Sequence, residues 1–128
     1  MGAVGHSDGD VLLHAIVDAL LGAANLGDIG VHFASSDKRW KNKESIYFLE
    51  HAAIIVREQG FDIDYVDSTI ILEAPKLADI IPEMVYKVSD TLQIDKTEVS
   101  VKATTTDKMG FIGRGEGVGA MAIATISK

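Results

Sequence analysis

Residues Gly5 to Ala23 read GHSDGDVLLHAIVDALLGA, and the reading of this stretch decides the fold. Leu12, Leu13, Ile16, Val17, Leu20 and Leu21 make it apolar almost all round, which predicts a buried helix rather than a surface one. Ser7 fits an N-cap with Asp10 at the third helical position, a capping box with a shorter acid. The helix is expected to end near Ala24, with Asn25, Gly27 and Gly30 in the turn beyond it. Asp10, His14 and Asp18, spaced four apart, form its one narrow polar stripe, with His14 on a buried face flanked by two carboxylates.

Working outward, ASSDKRWKNKES (34–45) carries four basic residues and reads as a loop. A second helix is expected from Glu44 to Gln59, closed by Gly60, with Ile46, Leu49, Ala53 and Val56 inward. His51 lies opposite that face and reads as solvated, and His32 as a loop residue. FDIDYVDSTIILEA (61–74) is rich in β-branched residues and reads as a strand ended by Pro75. A third helix is predicted over Ile80–Leu92, with Pro82 in its first turn and Ile81, Met84, Val85, Val88 and Leu92 inward. EVSVKAT (98–104) alternates, placing Val99, Val101 and Ala103 inward, and the last strand, GVGAMAIATIS (117–127), is apolar at both parities. Such a strand is expected to be covered on both faces, which hints at an oligomer. The order is helix, helix, strand, helix, strand, strand: an α/β chain. Opening on a buried helix, it looks incomplete at its front.

The chain has 128 residues, a formal net charge of −7 and no cysteine. That length is one domain's worth. The acidic balance argues against nucleic acid as a partner, because a phosphate backbone demands a basic surface. No apolar run approaches membrane-spanning length, and a secretory signal pattern is missing, so no membrane is expected as a partner. Without cysteine, any metal is held by His, Asp or Glu.

Three further stretches carry chemistry. LGDIG (26–30) either brings backbone amides and Asp28 to a ligand's hydroxyls or is a plain glycine turn. EAPK (73–76) joins a strand end, a rigid proline and a lysine. VKATTTDKMGFIGRGEG (101–117) combines threonines leaving a strand, an acid, cations and glycines. That pattern suits an oxyanion cradle in which hydroxyls and amides hold phosphate oxygens and Asp107 holds a hard cation. It matches neither a P-loop nor a dinucleotide fingerprint, and a glycine-rich hairpin explains it about as well.

HSDGDVLLHAIVDALLGA, LGDIG, EAPK and KATTTDKMGFIGRGEG, in this order and spacing, resemble the 2-C-methyl-D-erythritol 2,4-cyclodiphosphate synthase family along essentially the whole chain. The resemblance implies a mixed sheet with helices packed on one face, in a sandwich-like α+β homotrimer whose sheets face the threefold axis and whose active sites lie between subunits. It implies a single synthase domain over 1–128, truncated at its N-terminus relative to the family. The implied substrate is the small diphosphocytidyl compound 4-diphosphocytidyl-2-C-methyl-D-erythritol 2-phosphate, cyclised with release of CMP. Implied cofactors are zinc, plus magnesium or manganese. The alternative is a trimeric binding protein for cytidine nucleotides or isoprenoid phosphates that has lost the cyclase chemistry. Residence would be the bacterial cytoplasm or a plastid.

Residue by residue, His14 resembles a zinc ligand, and His6 with Ser7 the pair that contacts substrate. Asp28, Ile29 and Gly30 match the erythritol-binding turn, and Phe33, Ala34, Ser35, Ser36 and Asp37 the loop after it. Leu72, Glu73, Ala74, Pro75, Lys76, Leu77 and Ala78 match the wall that receives cytidine. Thr104, Thr105 and Thr106 match the diphosphate cradle, Asp107 the magnesium or manganese ligand, and Phe111 and Arg114 residues near substrate. His6 and Thr105 resemble the catalytic pair that stabilises the transition state. There are three departures. The family's opening strand, with the Asp-x-His motif that supplies two zinc ligands, has no counterpart here. FASSD (33–37) stands where the family has a motif like FPDTD, and Asp107 stands in place of Glu.

Overall fold

The computed structural model describes residues 3–34, 44–71, 80–104 and 119–128. Helix α1 runs Ala3–Ala23, a short α2 covers Ile29–His32, and α3 covers Ser45–Glu58. Strand β1 is Asp62–Ile71, α4 is Ile81–Leu92, β2 is Val99–Thr104 and β3 is Gly119–Ser127. A 3₁₀ turn, Lys96–Glu98, leads into β2.

Among the described residues the sheet has the order β2-β1-β3, with β1 parallel to β2 and antiparallel to β3. The expected mixed sheet is therefore present, and β1 is its centre. Register runs from Val66 opposite Val99 to Ile71 opposite Thr104 on one side, and from Asp62 opposite Ser127 to Ile71 opposite Gly119 on the other. A bulge interrupts β1 between Ile63 and Tyr65. The extra residue, Asp64, lets both Ile63 and Val66 face inward although three positions separate them.

One face of the sheet carries the core. Val66, Ile70, Val99 and Val101 are buried under α1, α3 and α4, which contribute Leu12, Ile16, Leu20, Leu49, Val56, Val88 and Leu92. α1 lies along β3, whose Ala120, Ala122, Ala124 and Ile126 pack at the margin of this cluster. Small side chains on the strand let the large ones of the helix approach closely. The buried hydroxyl of Ser68 donates to the carbonyl of Ser100 at 3.0 Å, so its burial leaves no unmet polar group.

Several expectations from the sequence are corrected. Ser7 is not an N-cap: the helix begins by Ala3, so Ser7 and Asp10 lie within it. Residues Ala3 and Val4 are compatible with helix and extend it backwards past the polar signal. The stripe does not lie on a buried face, since His14 and Asp18 are exposed and Asp10 is half-buried. Gly30 falls inside α2 rather than in the turn, where Asn25 (φ 58°) and Gly27 (φ 94°) take the left-handed conformation. Ala103 is exposed, because the core ends at Val101. β3 is covered on one face only within this chain: Met121 and Ile123 are 66% and 68% exposed.

The outer face of the sheet mixes charge and apolar surface. Tyr65 stands beside Met121 and Ile123 in exposure, and Lys102 Nζ lies 2.9 Å from Asp67 Oδ1. The Lys102 ammonium donates to Asp67 and holds its carboxyl below the usual carboxylate range. Before β2, the N–H and hydroxyl of Thr97 donate to Asp95 and lower its carboxyl likewise, while Glu98 accepts from the Asp95 N–H to complete a capping box.

Candidate functional site

Two groups of candidate residues take shape on this frame. The first lies where α1, α2 and the start of α3 meet. α1 ends at Ala23, and the turn through Asn25 and Gly27 carries the chain back beside it. Asp18, one turn from His14, accepts the backbone N–H of Ile29 at 2.8 Å through Oδ1. Asp28 caps α2: its Oδ1 accepts from the N–H of Val31 at 3.0 Å, and its backbone is extended, as an N-cap requires. Asp28 is exposed, and its second carboxylate oxygen is suited to receive a hydroxyl pair.

His14 meets α3 through Ser45. The Ser45 hydroxyl and His14 Nε2 are 3.0 Å apart, although the two residues lie thirty-one positions apart in the chain. The His14 ring also faces Phe48 at 6.1 Å between centroids, and Phe48 stacks on Phe33 at 5.2 Å. Phe33 is only 7% exposed, so its ring belongs to the core behind the site. Ala34 is half-buried after it.

The other histidines depart from expectation. His51 is half-buried rather than solvated, with its ring 4.5 Å from that of Tyr47 and edge-on to Phe33. His32 closes α2 rather than lying in a loop, and its Nε2 bonds the carbonyl of Leu26.

The second group is defined by the strand ends. β1 and β2 are parallel and finish at the paired residues Ile71 and Thr104. β1 and β2 therefore end side by side at their carboxyl ends, where open α/β sheets receive ligands, and in the sequence EAPK follows the one and the threonine run the other. Thr104 is exposed at that end. Leu72, Glu73, Ala74, Pro75, Lys76, Leu77 and Ala78 lie outside the described residues, as do Ser35, Ser36, Asp37, Thr105, Thr106, Asp107, Phe111 and Arg114. The backbone at His6 and Ser7 is helical, in the first turns of α1.

His14 has the chemistry of one ligand to zinc: an exposed imidazole whose second nitrogen is already held by a hydroxyl. Among the described residues no three His, Cys, Asp or Glu side chains gather into a metal-binding group. No helix among the described residues is long and apolar enough to cross a membrane. Ser45 is the site residue that sequence reasoning missed. Its polar neighbours, KNKE, made it one more loop serine, and only its place ahead of the apolar run of α3 marked it as special.

A mixed three-stranded sheet backed by helices on one face, with its two parallel strands ending side by side at Ile71 and Thr104, defines the described part of the chain as a small α/β fold. The chain belongs to the YgbB family, whose model matches residues 1–127. It is 50% identical over 125 residues to the 2-C-methyl-D-erythritol 2,4-cyclodiphosphate synthase of Azotobacter vinelandii, covering 98% of this chain and 80% of that protein. Among solved structures it resembles the bifunctional IspDF of Campylobacter jejuni, with a TM-score of 0.86 and 41% identity over 91% of this chain and 31% of that one. It also resembles IspF of Plasmodium falciparum in its CDP complex, with a TM-score of 0.79 and 34% identity over 94% of this chain and 72% of that one.

Proposed function

We propose that this chain is a 2-C-methyl-D-erythritol 2,4-cyclodiphosphate synthase, a phosphorus–oxygen lyase of non-mevalonate isoprenoid biosynthesis. Half-identity to a synthase across nearly the whole chain carries the reading. The substrate is 4-diphosphocytidyl-2-C-methyl-D-erythritol 2-phosphate. An oxygen of its 2-phosphate attacks the β-phosphorus of the diphosphate, the bond from that phosphorus to the bridging oxygen breaks, and CMP leaves with that oxygen. The product is the cyclic diphosphate.

The nucleophile is already an anion, so no strong base is needed. Catalysis rests on positioning two negatively charged groups and on neutralising their charge. Asp28, held by the α2 cap and by the grip of Asp18 on Ile29, accepts the hydroxyls of the erythritol unit. Thr104 and Thr105, with Thr106, donate to diphosphate oxygens at the end of β2, and the Ala74–Leu77 wall with Lys76 receives the cytidine. His6, Ser7 and Thr105 hold the reacting phosphates, while Phe111 and Arg114 border the substrate. A bound zinc ion supplies Lewis-acid polarisation of a phosphate oxygen, and magnesium or manganese supplies charge neutralisation. His14 is proposed as a ligand of the former and Asp107 of the latter.

The assembly proposed is a homotrimer built on the outer sheet face, where Tyr65, Met121 and Ile123 leave apolar surface exposed. The cellular compartment proposed is the bacterial cytoplasm or a plastid. Phosphorus NMR of the chain with substrate, zinc and magnesium tests the activity. Cyclodiphosphate and CMP are the expected products. Intact substrate with bound CMP would instead make the chain a nucleotide-binding protein.

A further inference from the structure

The hydrogen bond between Ser45 and His14 has a chemical consequence that depends on which nitrogen carries the proton. A neutral imidazole presents one N–H donor and one lone pair. With the proton on Nε2, the ring donates to Ser45 Oγ and Nδ1 is left as a lone-pair donor to whatever the site holds. With the proton on Nδ1, the ring accepts from the serine hydroxyl and turns an N–H outward, which no cation tolerates.

Three observations make Ser45 the fixed partner of Nε2. The Nε2–Oγ distance is 3.0 Å, a length that serves donation in either direction. Ser45 is only 6% exposed, so its hydroxyl is a fixed partner and not one that water readily replaces. It is the first residue of α3, a helix anchored by the buried Leu49, Ala52, Ala53 and Val56, so the hydroxyl is carried on a rigid element. Phe48, one turn on, sets the ring's other neighbour at 6.1 Å between centroids.

We infer that Ser45 is a positioning residue that holds His14 as the Nε2–H tautomer, presenting Nδ1 as the outward electron-pair donor. The contact of Ser45 with Nε2 stands by itself; the lone pair on Nδ1, which a metal ligand needs, rests on the functional reading above.

Nitrogen-15 NMR of the histidine-labelled full chain without metal tests this directly, with His14→Ala identifying the His14 signals. The expected spectrum shows Nε2 protonated and Nδ1 unprotonated in neutral His14. Adding zinc alone is expected to shift Nδ1 while Nε2 stays protonated. Ser45→Ala is expected to mix the tautomers and weaken zinc binding roughly 10–100-fold, the usual effect of losing a partner of a metal-bound histidine. Ser45→Thr, which keeps the hydroxyl, is expected to restore both. A protonated Nδ1 in the unmodified chain, or a Ser45→Ala spectrum with unchanged tautomer, overturns the inference. If the tautomer is as stated while substrate is never cyclised, it is the functional reading that fails.

Discussion

Asp18 and Ile29, eleven residues apart, are joined by a 2.8 Å bond from the backbone N–H of Ile29 to the carboxylate of Asp18. Through it α1 holds the turn that carries Asp28. Bonds to a charged acceptor exceed neutral ones in strength, though exposure to water reduces the gain here. Asp18→Ala is expected to cost about 1 kcal/mol at the turn, raising the KM for substrate roughly fivefold with a smaller change in kcat. Steady-state CMP release checks this. A KM equal to that of the unmodified chain would remove Asp18 from the site's support.

Thr105 and Lys76 are expected to separate chemistry from binding. Thr105→Ala should lower kcat by about 100-fold or more, the scale of losing one preorganised donor to developing charge, while CMP still binds. Lys76→Ala should weaken CMP binding and leave the bound substrate's turnover less affected. Calorimetry with CMP and phosphorus NMR of turnover distinguish the two. Normal turnover by Thr105→Ala would sink the role given to the threonine cradle.

Stability should be dominated by the apolar length of α1. Leu20 is fully buried, so Leu20→Ala is expected to destabilise by about 2–5 kcal/mol. Val31, 69% exposed, gives the control: Val31→Ser should change stability by less than about 0.5 kcal/mol. Urea unfolding followed by circular dichroism measures both.

Asp67 gives a pH dependence of known direction. Its carboxyl is lowered by the bond from Lys102, so the contribution is present above the unfolded value near 3.9 and is lost as pH falls through the lower folded value. Both partners are half exposed, which limits the effect to less than about 1 kcal/mol. Lys102→Met should therefore lower stability at neutral pH by less than about 1 kcal/mol and flatten the acid limb slightly below pH of about 4, where the two proteins converge. An identical acid limb in both proteins would show that the pair contributes nothing.

Ile123→Asp tests the assembly. The substitution puts a charge on the exposed apolar face of β3 without entering the core. Sedimentation should shift from trimer toward monomer. A species of unchanged mass would place the subunit contacts elsewhere.

What the sequence disclosed follows from the range of the forces involved. The inner faces of α3 and α4 were legible because burial repeats with the helical period: Leu49, Ala53, Val56, Met84, Val88 and Leu92 are all buried as expected. The strands were legible from their β-branched and alternating runs and the ends of α3 from Gly60, which takes a φ of 92° just past its C-cap, whereas the mixed sheet came with the family resemblance. The helix start at Ala3 was not, because a serine with a following acid is a local signal that the helix ran past. Nor was the bulge at Asp64, since a single inserted residue leaves no trace in a run of β-branched neighbours. Ser45 escaped for a deeper reason: its partner lies thirty-one positions away, and a hydrogen bond across that distance has no sequence period. The exposure of the Asp10–His14–Asp18 stripe was likewise set by where α3 and β3 lie, not by α1 itself.

The packing of α1 along β3 bears on how the chain is made. α1 leans on β3, and among the described residues β1 has both its strand partners downstream, at residues 99–104 and 119–127. During synthesis the β3-facing flank of α1 and both edges of β1 must wait for residues 99–127 to emerge. The domain is therefore expected to gain its stability late and all at once. A ribosome stalled before residue 119 would hold α1 packed against α3 with its β3-facing flank still open to chaperones.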